Sequence, residues 1–283
     1  MKKIFALMLL GSTILGTVLA SDLQKENLLG KVHTRNEEIF HAVLKFGVYV
    51  KGELIFSETR VYDDKGNLAS LTNYNADGSL KNKHIYTYDE KGTRTEWAEY
   101  KADGSLICKH IYTYDEKGTL TEGAIYNHEG LLNDKDLYTY NDKGNLTAWV
   151  SYNPDGSLKY KDIYTYDEKG NRIAWANYNA YGSLKYKYTY TYDDKGNQTE
   201  KTEYGADGSL RGKYITAYND KGAETEWSWY KADGSLYSKA INTYEYDHLG
   251  NWINKTTSFQ VNKFGKVYFE PTSIYSRKIT YYP

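Results

Sequence analysis

Cysteine and proline are nearly absent from this chain, and so are long apolar runs beyond its first twenty residues. Cys108 is the sole cysteine, so no intramolecular disulfide can form and stability has to come from packing and backbone ladders. Pro154, Pro271 and Pro283 are the only prolines, which leaves extended ladders scarcely interrupted. Charge of one sign is missing too: 36 Lys and Arg face 37 Asp and Glu, alternating within stretches such as Asp89 to Lys109. Such a pattern carries no basic footprint, and no nucleic-acid partner is expected.

Residues 1–20 have the build of a signal peptide. Lys2 and Lys3 make a basic start, Ile4 to Leu19 are mostly apolar, and Val18-Leu19-Ala20 places small residues before Ser21. No Cys follows the cut, so a lipid anchor is not expected. The rival reading is an uncleaved membrane anchor, for which the apolar run is short against a span of about twenty residues. The expectation is an exported chain, periplasmic, at the cell surface or secreted, with no stable membrane span after signal cleavage.

What the chain has in abundance is repetition with a period of 26 residues. A Tyr-Asp/Asn-Asp/Glu-Lys-Gly turn begins at Tyr62, Tyr88, Tyr114, Tyr140, Tyr166, Tyr192 and Tyr218, and an altered one begins at Tyr246. Strict register without insertion means one small unit packed on its own copies. Each unit has a second turn, Lys101-Ala102-Asp103-Gly104 for example, and in both turns Gly falls where the backbone turns left-handed. Segments such as Lys109 to Tyr114 and Thr95 to Tyr100 lie between, rich in β-branched and aromatic residues. These are strands of about seven or eight residues. Before the last turn two residues are added between Lys239 and Tyr246, which lengthens a strand without turning its faces over.

Two topologies compete for such a unit. A parallel solenoid would stack the lysines at 83, 109, 135, 161, 187, 213 and 239 at about 4.8 Å, whereas an antiparallel meander separates them by about 9.6 Å. Like charges stacked directly repel, which favours the antiparallel form. The expected fold is all-β: an antiparallel ribbon or solenoid of tandem 26-residue hairpins, some sixteen strands. It runs over residues 61–250, with an N-terminal β cap over 21–60 and a C-terminal β cap over 251–283. Lys31 to Val43 reads as a strand, Lys45 to Gly52 as a connection, and both caps are expected to cover an open sheet edge.

The phrase Ile163-Tyr164-Thr165-Tyr166-Asp167-Glu168-Lys169-Gly170-Asn171 resembles the YD repeat of the RHS family, and the match recurs over roughly residues 60 to 252. That resemblance implies β-hairpins wound into long spiralling sheets, with roles in toxin delivery, cell-surface contact and carbohydrate binding. The self-cleaving core and toxic tail of RHS toxins are not found in Asn251 to Pro283, and eight units look too few to close a shell. The second turn, Tyr-x-x-Asp-Gly-x-Leu, also resembles MORN-like repeats, which serve as scaffolds and occur in some immunity-type proteins.

Aromatic residues are the candidates for binding. Trp97, Trp149, Trp175 and Trp227 form a column interrupted by Leu71, Gly123 and Lys201, with Trp229 beside it. Trp97 and Tyr100 are three apart in one strand and face opposite sides. The tyrosine columns from Tyr74 and from Tyr86 read as packing ladders; an interrupted Trp column suits either packing or an exposed platform for sugar rings or peptide. The turn carboxylates suit turn capping better than calcium, because a Lys lies inside each loop and no bidentate Glu recurs. His33, Glu37, Glu38 and His41 lack the spacing of a zinc motif. No nucleophile–base set or phosphate loop stands out, so no enzyme and no cofactor is expected. The function expected is presentation of an aromatic-rich β surface to a carbohydrate, peptidoglycan or cell-surface protein partner. A structural or immunity-type scaffold is the alternative.

Overall fold

The computed structural model describes residues 21–283; the signal-peptide reading of 1–20 lies outside them. Eighteen antiparallel strands follow one another round a ring in chain order. β1 (Val32–Lys45) and β2 (Val48–Tyr62) open it, and β17 (Trp252–Lys263) and β18 (Lys266–Tyr281) complete it. Between them β3 (Leu68–Tyr74) to β16 (Leu236–Tyr246) hold the repeats, two strands per unit. β1 pairs with β2 on one side and with β18 on the other, Arg35 opposite Ile279 and Phe40 opposite Ile274. The sheet is therefore a closed barrel.

That closure overturns the expected open ribbon or solenoid and, with it, the spiralling RHS-type sheet. The physical reason lies in the flanks. They do not cover two separate edges; they supply four further strands, and the first and last of these pair with each other, so no edge remains. A twisted sheet of this many strands curls in any case. The stretch from Lys45 to Gly52 is likewise no connection but a tight hairpin, turning at Phe46 and Gly47.

The repeat turns take the form their residues dictate. In Asp89-Glu90-Lys91-Gly92, Gly92 sits at φ +80°, and the Asp89 carboxylate accepts from the Lys91 and Thr93 amides at 2.9 and 2.8 Å. The turn carboxylates are thus engaged by backbone amides, as Asx turns require. The two-residue insertion makes β16 eleven residues long where the corresponding strands have nine, and its pairing with β17 keeps parity.

Strand register sorts the side chains onto two faces. Tyr86, Trp97 and His110 share one face; Lys83, Ala98, Lys109 and Tyr100 share the other. The first face points into the lumen. Its side chains converge from strands two apart, as Trp227 on β15 (Glu224–Lys231) does with Phe259 on β17 at 5.5 Å, and only a concave wall permits that. The outer face is mixed: Lys109–Glu96, Lys135–Glu122, Lys213–Glu200 and Lys239–Glu226 pair across neighbouring strands at 2.6 to 3.3 Å, beside the exposed Ile85, Ile111 and Ile215. A ring of eighteen strands at about 4.8 Å spacing has a diameter of about 27 Å if circular, wide enough to leave space inside two layers of aromatic side chains.

One end of the lumen is partly covered. Ser21 caps a short helix, α1 (Asp22–Lys25), and Leu23 and Leu28 pack with Val32, Tyr62 and Leu68 in the main buried apolar cluster. Each such side chain stabilises the cover by about 2 kcal/mol. Glu26 fastens it, accepting from Arg60 Nη1 at 2.6 Å, Arg35 Nη1 at 2.9 Å and the Tyr62 hydroxyl at 2.8 Å. Arg35 also pairs with Glu58, and Arg277 with Glu37 at 2.6 Å, so ion pairs line the inner side of the β18–β1–β2 seam.

Candidate functional site

All five tryptophans expected to bind are half-buried and face the lumen, so none stands on an outer platform. Their surroundings differ. Trp97 is fully engaged: its Nε1 donates to His84 Nδ1 at 3.1 Å, and its ring lies between those of His84 and His110. Burial pushes the His110 pKa down to about 4 and lowers that of His84, so this sandwich is neutral at pH 7. Trp227 packs edge-on against Phe259. Trp229 stacks on Tyr214 and meets Tyr237, fitting over the bare backbone of Gly212, and its buried Nε1 also lacks a hydrogen-bond partner among the described residues.

Trp149 and Trp175 differ in having buried carboxyl groups beside them. The wall comprises β8 (Leu132–Tyr140), β9 (Leu146–Tyr152), β10 (Leu158–Tyr166), β11 (Arg172–Asn179) and β12 (Leu184–Tyr192). Trp149 lies between Tyr138 and Tyr160, with ring centroids at 6.1 and 5.5 Å, and Trp175 lies 5.4 Å from both Tyr186 and Tyr188. Set among these rings are Asp136, Ser151, Asp162 and Asn177, each at most 5 % exposed. Asp136 is opposite Ser151 in the ladder, and Asp162 lies between Trp149 and Asn177.

Polar groups so deeply buried normally find partners, because leaving one unmatched costs about 1–3 kcal/mol. Asn177 Nδ2 does donate to Asp162 Oδ1 at 2.7 Å. Yet Asp136 Oδ1, Asn177 Oδ1 and the Nε1 atoms of Trp149 and Trp175 have no hydrogen-bond partner of good geometry among the described residues. The Trp149 indole approaches the Asp136 carboxyl and the Trp175 indole that of Asp162, each near enough as a donor to favour the ionised form but short of good hydrogen-bond geometry. Burial raises the pKa of Asp136 and of Asp162, outweighing Ser151 and Trp149 around the first and Asn177 and Trp175 around the second. Two donors and two acceptors are thus buried within a frame of aromatic rings.

Gly123 lets the Tyr138 ring lie close against the backbone beside them. It takes the place of a tryptophan in the column, pairs with Asp136, and a Cβ there would approach the Tyr138 hydroxyl to 3.3 Å. Sequence reasoning found the tryptophans but missed Asp136, Ser151, Asp162 and Asn177. The signal for them lay in variation along inward columns, where Asp136 and Asp162 replace His84 and His110.

Cys108 also faces the lumen, opposite Glu99, with a pKa raised by burial. His33 packs at a tilt against Tyr282, while Glu37 joins the seam ion pairs, so the N-terminal His/Glu set is not one site.

No family model matches the chain, and no curated protein does. The YD-like phrase therefore remains a likeness of the turn, and the RHS-type assignment is withdrawn with the solenoid. Among solved structures, the chain is similar to a porin-like protein from Bacteroides uniformis, with 12 % identity, 88 % of this chain and 98 % of that one covered, and a TM-score of 0.48. A porin-like protein from Bacteroides vulgatus gives 10 % identity, 87 % and 98 % coverage, and a TM-score of 0.34. A TcdB2-TccC3-Cdc42 structure gives 14 % identity over 86 % of this chain and a TM-score of 0.27. This chain spans only 18 % of that toxin-complex chain. At such identities and TM-scores none of these likenesses carries an argument; closure rests on the strand pairing itself.

Proposed function

We propose that the protein is an exported, non-enzymatic barrel that binds a glycan inside its lumen, on the wall formed by β8 to β12. The observation that carries the reading is the set of four unpartnered buried atoms, Asp136 Oδ1, Asn177 Oδ1, Trp149 Nε1 and Trp175 Nε1, framed by tyrosine and tryptophan rings. A saccharide suits both parts: its apolar faces stack on the rings, and its hydroxyls match the buried acceptors and indoles once the covering rings turn aside. A purely apolar ligand would leave the polar atoms unmatched.

The outer face supports a barrel that works in water at the cell envelope or beyond it. Lipid-facing barrels carry an apolar band, and each Lys at the bilayer midplane costs about 2–4 kcal/mol. Here a lysine column from Lys83 to Lys239 runs along the outer face, alternating with Glu96, Glu122, Glu200 and Glu226. The protein is accordingly expected to stay in solution without detergent.

Calorimetric titration with soluble oligosaccharides, peptidoglycan fragments among them, tests the reading. Trp149→Ala and Trp175→Ala are expected to weaken binding at least ten-fold, and Trp97→Ala, whose indole is already satisfied, to leave it within about two-fold. Absence of binding by the unaltered protein across such a panel, or equal losses from all three variants, would favour the scaffold reading.

A further inference from the structure

Two hairpins rise above the barrel at the end away from α1. The ladder between β1 and β18 ends at His41–Ser273, and beyond it residues 42–45 of β1 pair only with β2. Residues 260–263 of β17 likewise extend past the pairing with β16 and pair only with β18. Each tip stands about 14 Å beyond the shared wall, at about 3.4 Å per residue. The hairpins are neighbours in the ring, and Tyr49 of one lies within electrostatic reach of Lys263 of the other.

The two tips have the same chemistry. Lys45-Phe46-Gly47 and Lys263-Phe264-Gly265 both turn with two successive left-handed residues, Phe46 at φ +51° and Phe264 at φ +54°. Asn or Gly would take that first position with less strain than a Phe. Both rings are nonetheless fully exposed, Phe46 at 104 % and Phe264 at 99 %, and Leu44, Val48, Val267 and Tyr268 are exposed below them. Exposed apolar tips of this size signal a partner, since nothing within the fold uses them.

Charge identifies the partner. Lys45, Lys51, Lys263 and Lys266 surround the tips against the acids Glu53 and Glu270, the latter held by Lys263 at 2.5 Å. Aromatic and aliphatic tips within a collar of lysine match the interface of an anionic bilayer, where rings enter the headgroup region and ammonium groups meet lipid phosphates. We propose that the Phe46 and Phe264 hairpins together dock the barrel, end-on, to an anionic lipid surface. Nothing in this rests on the glycan reading.

A polarity-sensitive probe placed at the tip tests it in the full chain. The Val48→Cys protein, with Cys108→Ser, carries a nitrobenzoxadiazole label and is mixed with vesicles of phosphatidylglycerol and phosphatidylethanolamine, or of phosphatidylcholine alone. A several-fold rise in emission is expected with the anionic vesicles, little with the neutral ones, and loss of the rise in Phe46→Asp/Phe264→Asp. Because the readout is at the tip, association through any other segment does not mimic it. No rise with anionic vesicles overturns the proposal, as does a rise that the double substitution leaves intact. A rise driven by protein concentration without vesicles also overturns it, in favour of a second copy of the chain as occupant.

Discussion

The Tyr114 hydroxyl donates to the backbone carbonyl of Arg94, twenty residues earlier, at 2.5 Å. The same bond joins Tyr88 to Leu68, Tyr166 to Leu146, Tyr192 to Arg172 and Tyr218 to Gln198. In the last unit Tyr244 makes it to Glu224 at 2.7 Å, not Tyr246, so the two added residues lie between this tyrosine and the turn. Arg94 precedes Glu96, where pairing of β5 (Arg94–Lys101) with β6 (Leu106–Tyr114) begins, and the tyrosine satisfies a carbonyl the offset ladder leaves free. The repeated tyrosine is thus a backbone clamp.

Removing one clamp leaves a carbonyl unmatched. Tyr166→Phe is expected to destabilise the barrel by about 1–2 kcal/mol. Tyr152→Phe, on the outer face, should stay within about 0.5 kcal/mol. Denaturant unfolding of the two variants beside the unaltered protein checks the contrast, and equal effects would argue against the clamp.

The cover over the lumen depends on Glu26. Glu26→Ala leaves Arg35, which is 5 % exposed, and Arg60 facing the helix without their shared carboxylate. Glu58 still pairs with both guanidinium groups, so the loss is that of the charged hydrogen bonds to Glu26, about 2 kcal/mol. Hydrogen exchange should show residues 21–30 opening, while amides of β8 to β12 stay protected.

Much of this architecture was legible in the chain. Gly92 and its equivalents marked the turns, the spacing of Trp97 and Tyr100 separated the two faces, and the two residues added before Tyr246 kept parity. Closure was not legible, because a period specifies how neighbours meet and not where the first strand meets the last. The seam is made by Arg35, Glu37, Glu58 and Arg277, which belong to no repeat. The Phe46 turn was hidden for a local reason: Phe at a left-handed position looks nothing like the Asn-Gly or Asp-Gly of a tight hairpin. The tryptophans could be found by type, whereas the value of Asp136 and Asn177 lies in one buried oxygen of each left unpaired, which composition does not reveal.

The His84–Trp97–His110 sandwich should respond to acid. Burial lowers the His110 pKa from 6.5 to about 4, so the unfolded chain takes up this proton first as pH falls. The stability His110 contributes is present above pH 6.5 and is lost as pH falls towards 4. His110→Phe, which keeps a ring over Trp97, is expected to flatten the dependence of Tm on pH across that window. An unchanged slope would count against a neutral, buried His110.

Asp136 should act with the opposite sign. Its pKa is raised by burial from 3.8, so the folded barrel holds this proton more tightly than the unfolded chain does. The contribution is present below pH 3.8 and is lost as pH rises through the folded value, leaving the carboxylate a burden at neutral pH. Asp136→Asn, which supplies a neutral group of the same shape, is expected to raise Tm at pH 7 and to change it little at acid pH. Should Asp136 instead grip saccharide hydroxyls as a carboxylate, the same substitution will weaken binding several-fold while it stabilises the fold. Gly123→Trp separates access from charge: a ring there must displace Tyr138, which lies over the glycine, and is expected to abolish binding with the carboxylate in place. A stabilised Asp136→Asn barrel that binds poorly, together with a folded Gly123→Trp barrel that does not bind, would locate the ligand on this wall; full binding by both would remove it from there.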